Sequence, residues 1–327
     1  MTDNTIPRRT LGKSGLDISI VGFGLWAAGG DEWGEIDDRG ILDAIDYALD
    51  AGVNFFDTAD VYGMGHSEEL LGRAMQGRRD QFVVATKIGW RGFDDERGRS
   101  AYDTVDKFIA GVEGNLRRLQ IETIDLLQSH IDFREPNLDI FLEGFQRLQQ
   151  QGKIRAYGVS TSDFDYLRAF NRDGGCASLQ IDYSILNRTA EEEILPYCQE
   201  HNIGVIVRGP LAMGILTGKY DADTRFEEGD FRRRWHENPD EYEIFLDDLA
   251  KVDRLQAVVG DGQSLTQFAL RFTVAHPAIT TVIPGIKNTR QARENFAVGT
   301  MPLLDEETLA EVDAITPEGG GRKIWPA

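Results

Sequence analysis

Asp57, Tyr62, Lys87 and His130 are the residues of this 327-residue chain whose types and positions could do chemistry together. Asp57 and Tyr62 lie in NFFDTADVYG, Lys87 in VVATKIG and His130 in DLLQSH. Each stands at the end of an apolar run or in the loop that follows it. A carboxylate, a phenol, an ammonium and an imidazole gathered at one place can donate, accept and steer protons. A neutral, desolvated lysine there could instead attack a carbonyl and form a Schiff base. Singly, each residue has an ordinary reading: Asp57 as a helix N-cap, Lys87 as a rim cation with a packed stem, His130 as a hydrogen-bonded histidine at a strand end. Their coincidence behind three consecutive runs argues for a site.

The runs belong to a longer series. ISIVGFG (18–24), VNFFDTA (53–59), FVVATKIG (82–89) and IDLLQSH (124–130) are followed by IRAYGVS (154–160), ASLQIDY (177–183), IGVIVRG (203–209) and TTVIPG (280–285). Most are nearly continuous in Val, Ile, Leu and Phe, as parallel strands covered on both faces require. Helical periods lie between them, such as Val105, Ile109, Val112, Leu116, Leu119 and Leu138, Phe141, Phe145, Leu148. Gly52, Gly77 and Gly152 each stand where a helix should end in a left-handed residue before the next strand. Eight strand-plus-helix units with no Pro-, Gly- or Ser-rich linker predict a closed α/β (β/α)8 TIM barrel, one domain over 1–327. In such a barrel the reactive side chains sit at the C-terminal ends of the strands, so the four residues should meet at one mouth.

Three segments fall outside the repeat. Residues 8–20 read as a hairpin turning at GKSG, placed to plug the N-terminal mouth. Residues 211–263 are a long insertion after strand seven, containing RFEEGDFRRRWHENPDEYE, and are expected to form a lid or to be partly disordered. The tail EGGGRKIWPA is flexible by composition, with Trp325 a candidate for docking.

Lys and Arg number 35 against 55 Asp and Glu, a net charge of −20. That field disfavours nucleic acid and anionic membranes as partners, and an anionic ligand would need its own basic pocket. Two cysteines, Cys176 and Cys198, make neither a metal site nor a disulfide framework, so no metal is expected. The start MTDNTIPRR has no apolar stretch to act as a signal, and no run is long enough to span a bilayer. The expectation is a cytoplasmic protein with a small-molecule substrate. Oligomeric state is not legible.

Gly22, Gly24 and Ala27 fit the G-x-G-x-x-A fingerprint of a dinucleotide-binding Rossmann turn. That motif must open into a helix. Here the Gly-rich AAGGDEWGE follows, and the next acidic strand residue, Asp57, comes too late.

With these motifs the sequence resembles the aldo-keto reductase family over nearly its whole length. The resemblance runs from RRTLGKSGLDISIVGFG through NFFDTADVYG with GHSEELLG, VVATK, DLLQSH, GKIRAYGVS and PLAMGILTGKY to TVIPGIKNTRQARENF. It implies a (β/α)8 barrel that binds extended NADP(H) and reversibly reduces an aldehyde or ketone to an alcohol. Tyr62 would then be the general acid, with its phenol pKa lowered by Lys87. Asp57 would keep Lys87 charged, and His130 would orient the substrate oxygen. Ser160 and Gln180 would hold the nicotinamide carboxamide, beside Thr161 where the family usually has Asn. Trp26 would face the nicotinamide and substrate, with Trp33, Trp90 and Trp235 as further lining candidates. Leu211, Gly214 and Lys219 would cover the pyrophosphate. Gly285 and Lys287 would grip the 2′-phosphate, next to Arg290 at a helix start that Asn288 or Thr289 caps. Gln291 and Asn295 would then meet the adenine.

Arg208 departs from the pattern, because many relatives carry an aromatic residue there. A guanidinium stacked on nicotinamide should favour the reduced ring, while the ordinary reading is that Arg208 turns away to an acidic loop residue. Alternative functions are a lyase using Lys87 as a Schiff base, or a nicotinamide-binding redox sensor. Substrate choice should lie in loops 26–36, 90–103 and 211–263.

Overall fold

The computed structural model describes residues 5–30, 33, 36–90, 93–94, 99–130, 132 and 137–323. The eight apolar runs become eight parallel strands: β1 (Phe23–Gly24), β2 (Phe55–Asp57), β3 (Val83–Ile88), β4 (Ile124–Ser129), β5 (Ile154–Ser160), β6 (Ser178–Asp182), β7 (Gly204–Arg208) and β8 (Ile279–Val282). Each pairs with the next in order. The ring closes where the Gly22 N–H donates to Val282 O (2.8 Å) and the Gly24 N–H to Pro284 O (3.1 Å). Gly24 permits this approach: a Cβ there would lie 2.7 Å from Ile283 O. The two glycines of the apparent Rossmann fingerprint thus sit on the barrel seam, and Ala27 lies in the 3₁₀ turn Trp26–Gly29.

Helices cover the outside, and capping residues begin them. Asp37, Thr104, Asp163, Ser264, Asn288 and Asp305 each accept a first-turn N–H, satisfying a donor that has no partner within the helix. Gly52, Gly77 and Gly152 are left-handed, at φ 90°, 75° and 72°. The helix Asn137–Gln150 buries Leu138, Phe141, Phe145 and Leu148, the stripe its period predicts.

The barrel interior has two kinds of layer. Phe55, Ala85, Leu126, Ala156, Ile206 and Ile283 form an apolar layer near the N-terminal end. Strand side chains alternate faces, so positions two or four residues further on point into the same interior. These are Asp57, Lys87, Gln128, Ser160 and Arg208, and they are polar. The apolar layer is sealed from below by the hairpin, whose strands Arg8–Thr10 and Asp17–Ser19 are antiparallel and whose Leu11, Leu16 and Ile18 join it. Ile18 and Ser19 therefore belong to the hairpin, and the first barrel strand is shorter than the run 18–24.

The insertion is folded. It holds a 3₁₀ segment (Ala212–Thr217), the turn Phe231–Arg233, the short helix Arg234–Glu237 and the long helix Pro239–Gln256. The tail is tied down as far as it is described: Gly321 bridges Asn187, Arg322 pairs with Asp248, and Lys323 Nζ donates to Ser162 O at 2.9 Å. Trp325 lies outside the described residues.

Candidate active site

At the C-terminal mouth Lys87 is fully buried, and its ammonium has three acceptors. These are Asp57 Oδ1 at 2.6 Å, Thr58 O at 2.9 Å and Tyr62 Oη at 3.2 Å. An ammonium has three protons to give, so this one is saturated. Burial alone would depress its pKa, but Asp57 and then Tyr62 outweigh that and raise it. Lys87 is therefore a fixed cation.

Tyr62 opens the 3₁₀ turn Tyr62–Gly65, in which Gly63, Met64 and Gly65 all have positive φ. A Cβ on Gly63 would lie 2.4 Å from Gly29 O, so the turn packs tightly on Trp26–Gly29 and sets the Trp26 ring on Tyr62 (centroids 6.1 Å, 24°). Burial pushes the Tyr62 phenol above its ordinary value, Lys87 pulls it down, Asp57 opposes that, and Arg208 adds a smaller downward pull. The expectation that Lys87 lowers this pKa thus appears as a real pull that burial exceeds.

His130 follows β4, with Tyr62 edge-on to its ring at 5.6 Å and Trp90 at 6.5 Å. Burial, then Lys87 and Arg208, hold its pKa well below the usual histidine range. It is a neutral imidazole whose buried Nδ1 has no hydrogen-bond partner among the described residues.

The structure brings the four residues together and adds others that the sequence reading did not single out. Asp57 Oδ2 accepts from Gln180 Nε2 (2.8 Å) and from Gln128 Nε2 (3.4 Å). Gln128 lies in β4 two residues before His130, so strand alternation was the signal for it. Behind β3, buried Glu68 accepts from Thr86 Oγ1 (2.5 Å) and from Arg118 Nε (2.7 Å). Arg118 in turn holds Asn115, which donates to Lys87 O (3.1 Å).

Ser160 and Gln180 are register partners on β5 and β6. Thr161 Oγ1 accepts from the Asp163 N–H at the next helix start. Arg208 ends β7, donates to Ser162 Oγ (3.3 Å) and feels the charge of Asp182.

A second, cationic region borders the mouth. Lys219 and Lys287 are half-buried, and both have lowered pKa values, first from burial and then from neighbouring cations. For Lys219 those cations are Arg232, Lys287 and Arg290. Lys287 Nζ donates to Trp33 O, and its own N–H to Gln291 Oε1 (2.8 Å). Asn288 caps the helix Thr289–Phe296, which buries Asn295, while Gly285 is exposed. Gly214, at φ 95°, lies against Tyr220, and Leu211 begins the 3₁₀ segment before it.

Arg232 pins the insertion here. It holds Asp230 through two nitrogens (2.8 and 2.5 Å) and lies within 6 Å of the Trp33, Tyr220, Phe226 and Phe231 rings. Phe231 stacks on Trp26 (5.8 Å, 20°), and Trp33 meets both edge-on at 5.1 Å. Trp235, expected as a lining candidate, is buried within the insertion against Phe226 and Phe245.

Fold and site together define a (β/α)8 barrel with a buried, hydrogen-bonded Asp–Lys–Tyr group at its C-terminal mouth. The aldo/keto reductase family model matches residues 20–317, and the chain belongs to that family of oxidoreductases. It is 32% identical over 314 residues to the uncharacterized oxidoreductase YqkF of Bacillus subtilis, covering 95% of this chain and 97% of that one. It is 30% identical over 312 residues to the NADH-specific methylglyoxal reductase of Escherichia coli, covering 91% and 94%. The solved glycerol dehydrogenase of Gluconobacter oxydans superimposes with a TM-score of 0.81 at 33% identity, covering 100% of this chain and 99% of that one.

Proposed function

We propose that this protein reversibly reduces an aldehyde or ketone to an alcohol with NADP(H), using Tyr62 as the general acid. The observation that carries the reading is the saturated Lys87 ammonium, 2.6 Å from Asp57 and 3.2 Å from the Tyr62 hydroxyl. Tyr62 gives its proton to the carbonyl oxygen, and the phenolate left behind faces two cations, Lys87 and Arg208. Neutral His130 offers a hydrogen bond to the same oxygen and orients it. Because Lys87 has neither a free lone pair nor a lowered pKa, the arrangement disfavours the Schiff-base alternative.

The cofactor fits the residues present. Among the described residues, Lys219, Arg232 and Lys287 gather near the Asp230 carboxylate and Arg290 acts on Lys219, a group of like charges that an anion would relieve. Ser160 and Gln180 would hold the carboxamide end, with Trp26 beside it. Leu211, Gly214 and Lys219 would lie along the pyrophosphate, and Gly285, Lys287, Gln291 and Asn295 along the adenosine end. When bound, the dinucleotide supplies or takes the hydride.

A panel of aldehydes, ketones and alcohols, followed at the reduced-nicotinamide absorbance with NADP(H) and NAD(H), tests it. Turnover with NADP(H) is expected. Tight cofactor binding without turnover on any carbonyl would favour the redox-sensor alternative, and absence of binding would remove the cofactor from the account.

A further inference from the structure

Of the three acceptors that hold the Lys87 ammonium, Tyr62 must stay able to give its proton, while Asp57 and the Thr58 carbonyl serve as scaffold. Asp57 is braced by Gln180 and Gln128. Thr58 has a brace of its own. Its N–H donates to Ala85 O on β3 (2.9 Å), and its hydroxyl lies 2.8 Å from the hydroxyl of Ser67. Both side chains are fully buried. Ser67 stands in the first turn of the helix His66–Met75, where a serine ordinarily serves its own backbone.

Counting protons fixes the direction of these bonds. Ser67 has one hydroxyl proton and donates it to Leu25 O (3.0 Å), so the proton between the two hydroxyls comes from Thr58. The Leu25 N–H donates in turn to Asp57 O (2.9 Å). Leu25, Asp57, Thr58 and Ser67 thereby close a ring of hydrogen bonds between β1, β2 and the helix. Trp26, whose ring stacks on Tyr62, is the residue after Leu25. Ser67 therefore joins two supports of Tyr62: the carbonyl that holds Lys87, and the backbone that carries Trp26. Glu68, the next residue of the helix, holds β3 through Thr86.

We propose that Ser67 is a positioning residue for carbonyl reduction, fixing Lys87 and Trp26 against Tyr62 through Thr58 and Leu25. The inference rests on the proposed function, in which Tyr62 is the acid. Without the Ser67 hydroxyl, the Thr58 donor and the Leu25 acceptor lose their buried partner, and the end of β2 is free to shift. A reacting group displaced by a fraction of an ångström loses rate, while a ligand held elsewhere keeps its affinity. Ser67 touches none of the residues assigned to the dinucleotide on β5 to β8.

The test is single-turnover reduction of a carbonyl that the wild type accepts, with dinucleotide affinity titrated by tryptophan fluorescence. Ser67→Ala should lower the rate by about five- to a hundredfold and leave dinucleotide affinity nearly constant. Added to Tyr62→Phe, it should lower the residual rate no further, because a brace for the acid has nothing left to position. Thr58→Val, equal in shape but without the hydroxyl, should lose rate as Ser67→Ala does, and Thr58→Ser should restore most of it. This pair decides the matter if Ser67→Ala does not fold. A folded Ser67→Ala protein with wild-type rate overturns the proposal, as does an undiminished loss in the Tyr62→Phe background or a Thr58→Ser rate as low as that of Thr58→Val. Absence of any carbonyl turnover by the wild type overturns the proposed function itself, and this inference with it.

Discussion

Tyr62 is the residue on which the proposed chemistry turns, and its surroundings fix what pH should do. Burial keeps the phenol protonated at neutrality, so the acid needed for reduction is present there and is lost only as pH rises through its raised pKa. Alcohol oxidation needs the phenolate and should climb with pH over the same range. His130 should contribute no step at the ordinary histidine pKa, because burial, Lys87 and Arg208 suppress its charged form. A fall in kcat/KM centred on the ordinary histidine pKa would mean that His130 carries a proton in the working enzyme. Tyr62→Phe should cut reduction by about 10² to 10⁴ while cofactor affinity, measured by fluorescence titration, stays nearly constant. Retention of more than about half the turnover would take Tyr62 out of the mechanism. Borohydride added with a carbonyl substrate should leave no adduct on Lys87 by mass spectrometry, since all three of its protons are held. Asp57, Tyr62, Lys87 and His130 were legible because their types are chemically distinctive at strand ends. Gln128 and the Gln180–Asp57 bond were not, since an amide acquires its role from what lies opposite it across the barrel.

Among the elements, the eight strands could be read from their apolar runs, and Gly52, Gly77 and Gly152 marked three helix ends. The insertion could not be read. Its fold is built around Arg232 and a set of aromatic rings with no sequence period, so composition alone suggested a lid or disorder. The seam between β1 and β8 was hidden behind a motif that imitates a nucleotide turn. Gly24→Ala tests the seam directly, because its Cβ would press on the Ile283 carbonyl at 2.7 Å. The substitution should cost about 1–3 kcal/mol in urea unfolding, the usual penalty of forcing atoms into a packed interior. Gly77→Ala, with open space around its Cβ but φ 75°, should cost only the left-handed penalty of about 1–2 kcal/mol. A Gly24→Ala protein as stable as the wild type would mean that the seam yields without strain.

For the molecule as a whole, a net charge of −20 coexists with one cationic border beside the mouth. An anionic ligand must be drawn to that border against the general field, so its affinity should depend steeply on the local cations. Lys287→Ala should weaken NADPH binding about ten- to 150-fold, the equivalent of one charge-assisted hydrogen bond, and leave NADH nearly untouched. Equal losses for both dinucleotides would show that Lys287 does not read the 2′-phosphate. The overall charge was plain in the sequence, whereas the gathering of Lys219, Arg232, Lys287 and Arg290 depended on how the insertion folds back. Both cysteines are buried, and burial pushes the Cys176 thiol up to about 12 and Cys198 higher still. Neither should react with a thiol reagent until the chain unfolds.

The hairpin and the seam also govern the order of events at the ribosome. Residues 8–24 emerge first, yet the hairpin tip rests on Gly204 and Asn202, and the seam partners are Val282 and Pro284. At roughly 5–20 residues per second, the N-terminal segments wait on the order of ten seconds or more for their partners. Until Ile279–Val282 is translated, the nascent sheet has two open edges and an unplugged apolar floor. Chains stalled before that strand should be the form that chaperones hold and proteases cut, and ring closure should be the slow phase of refolding, as expected for pairings so distant along the chain.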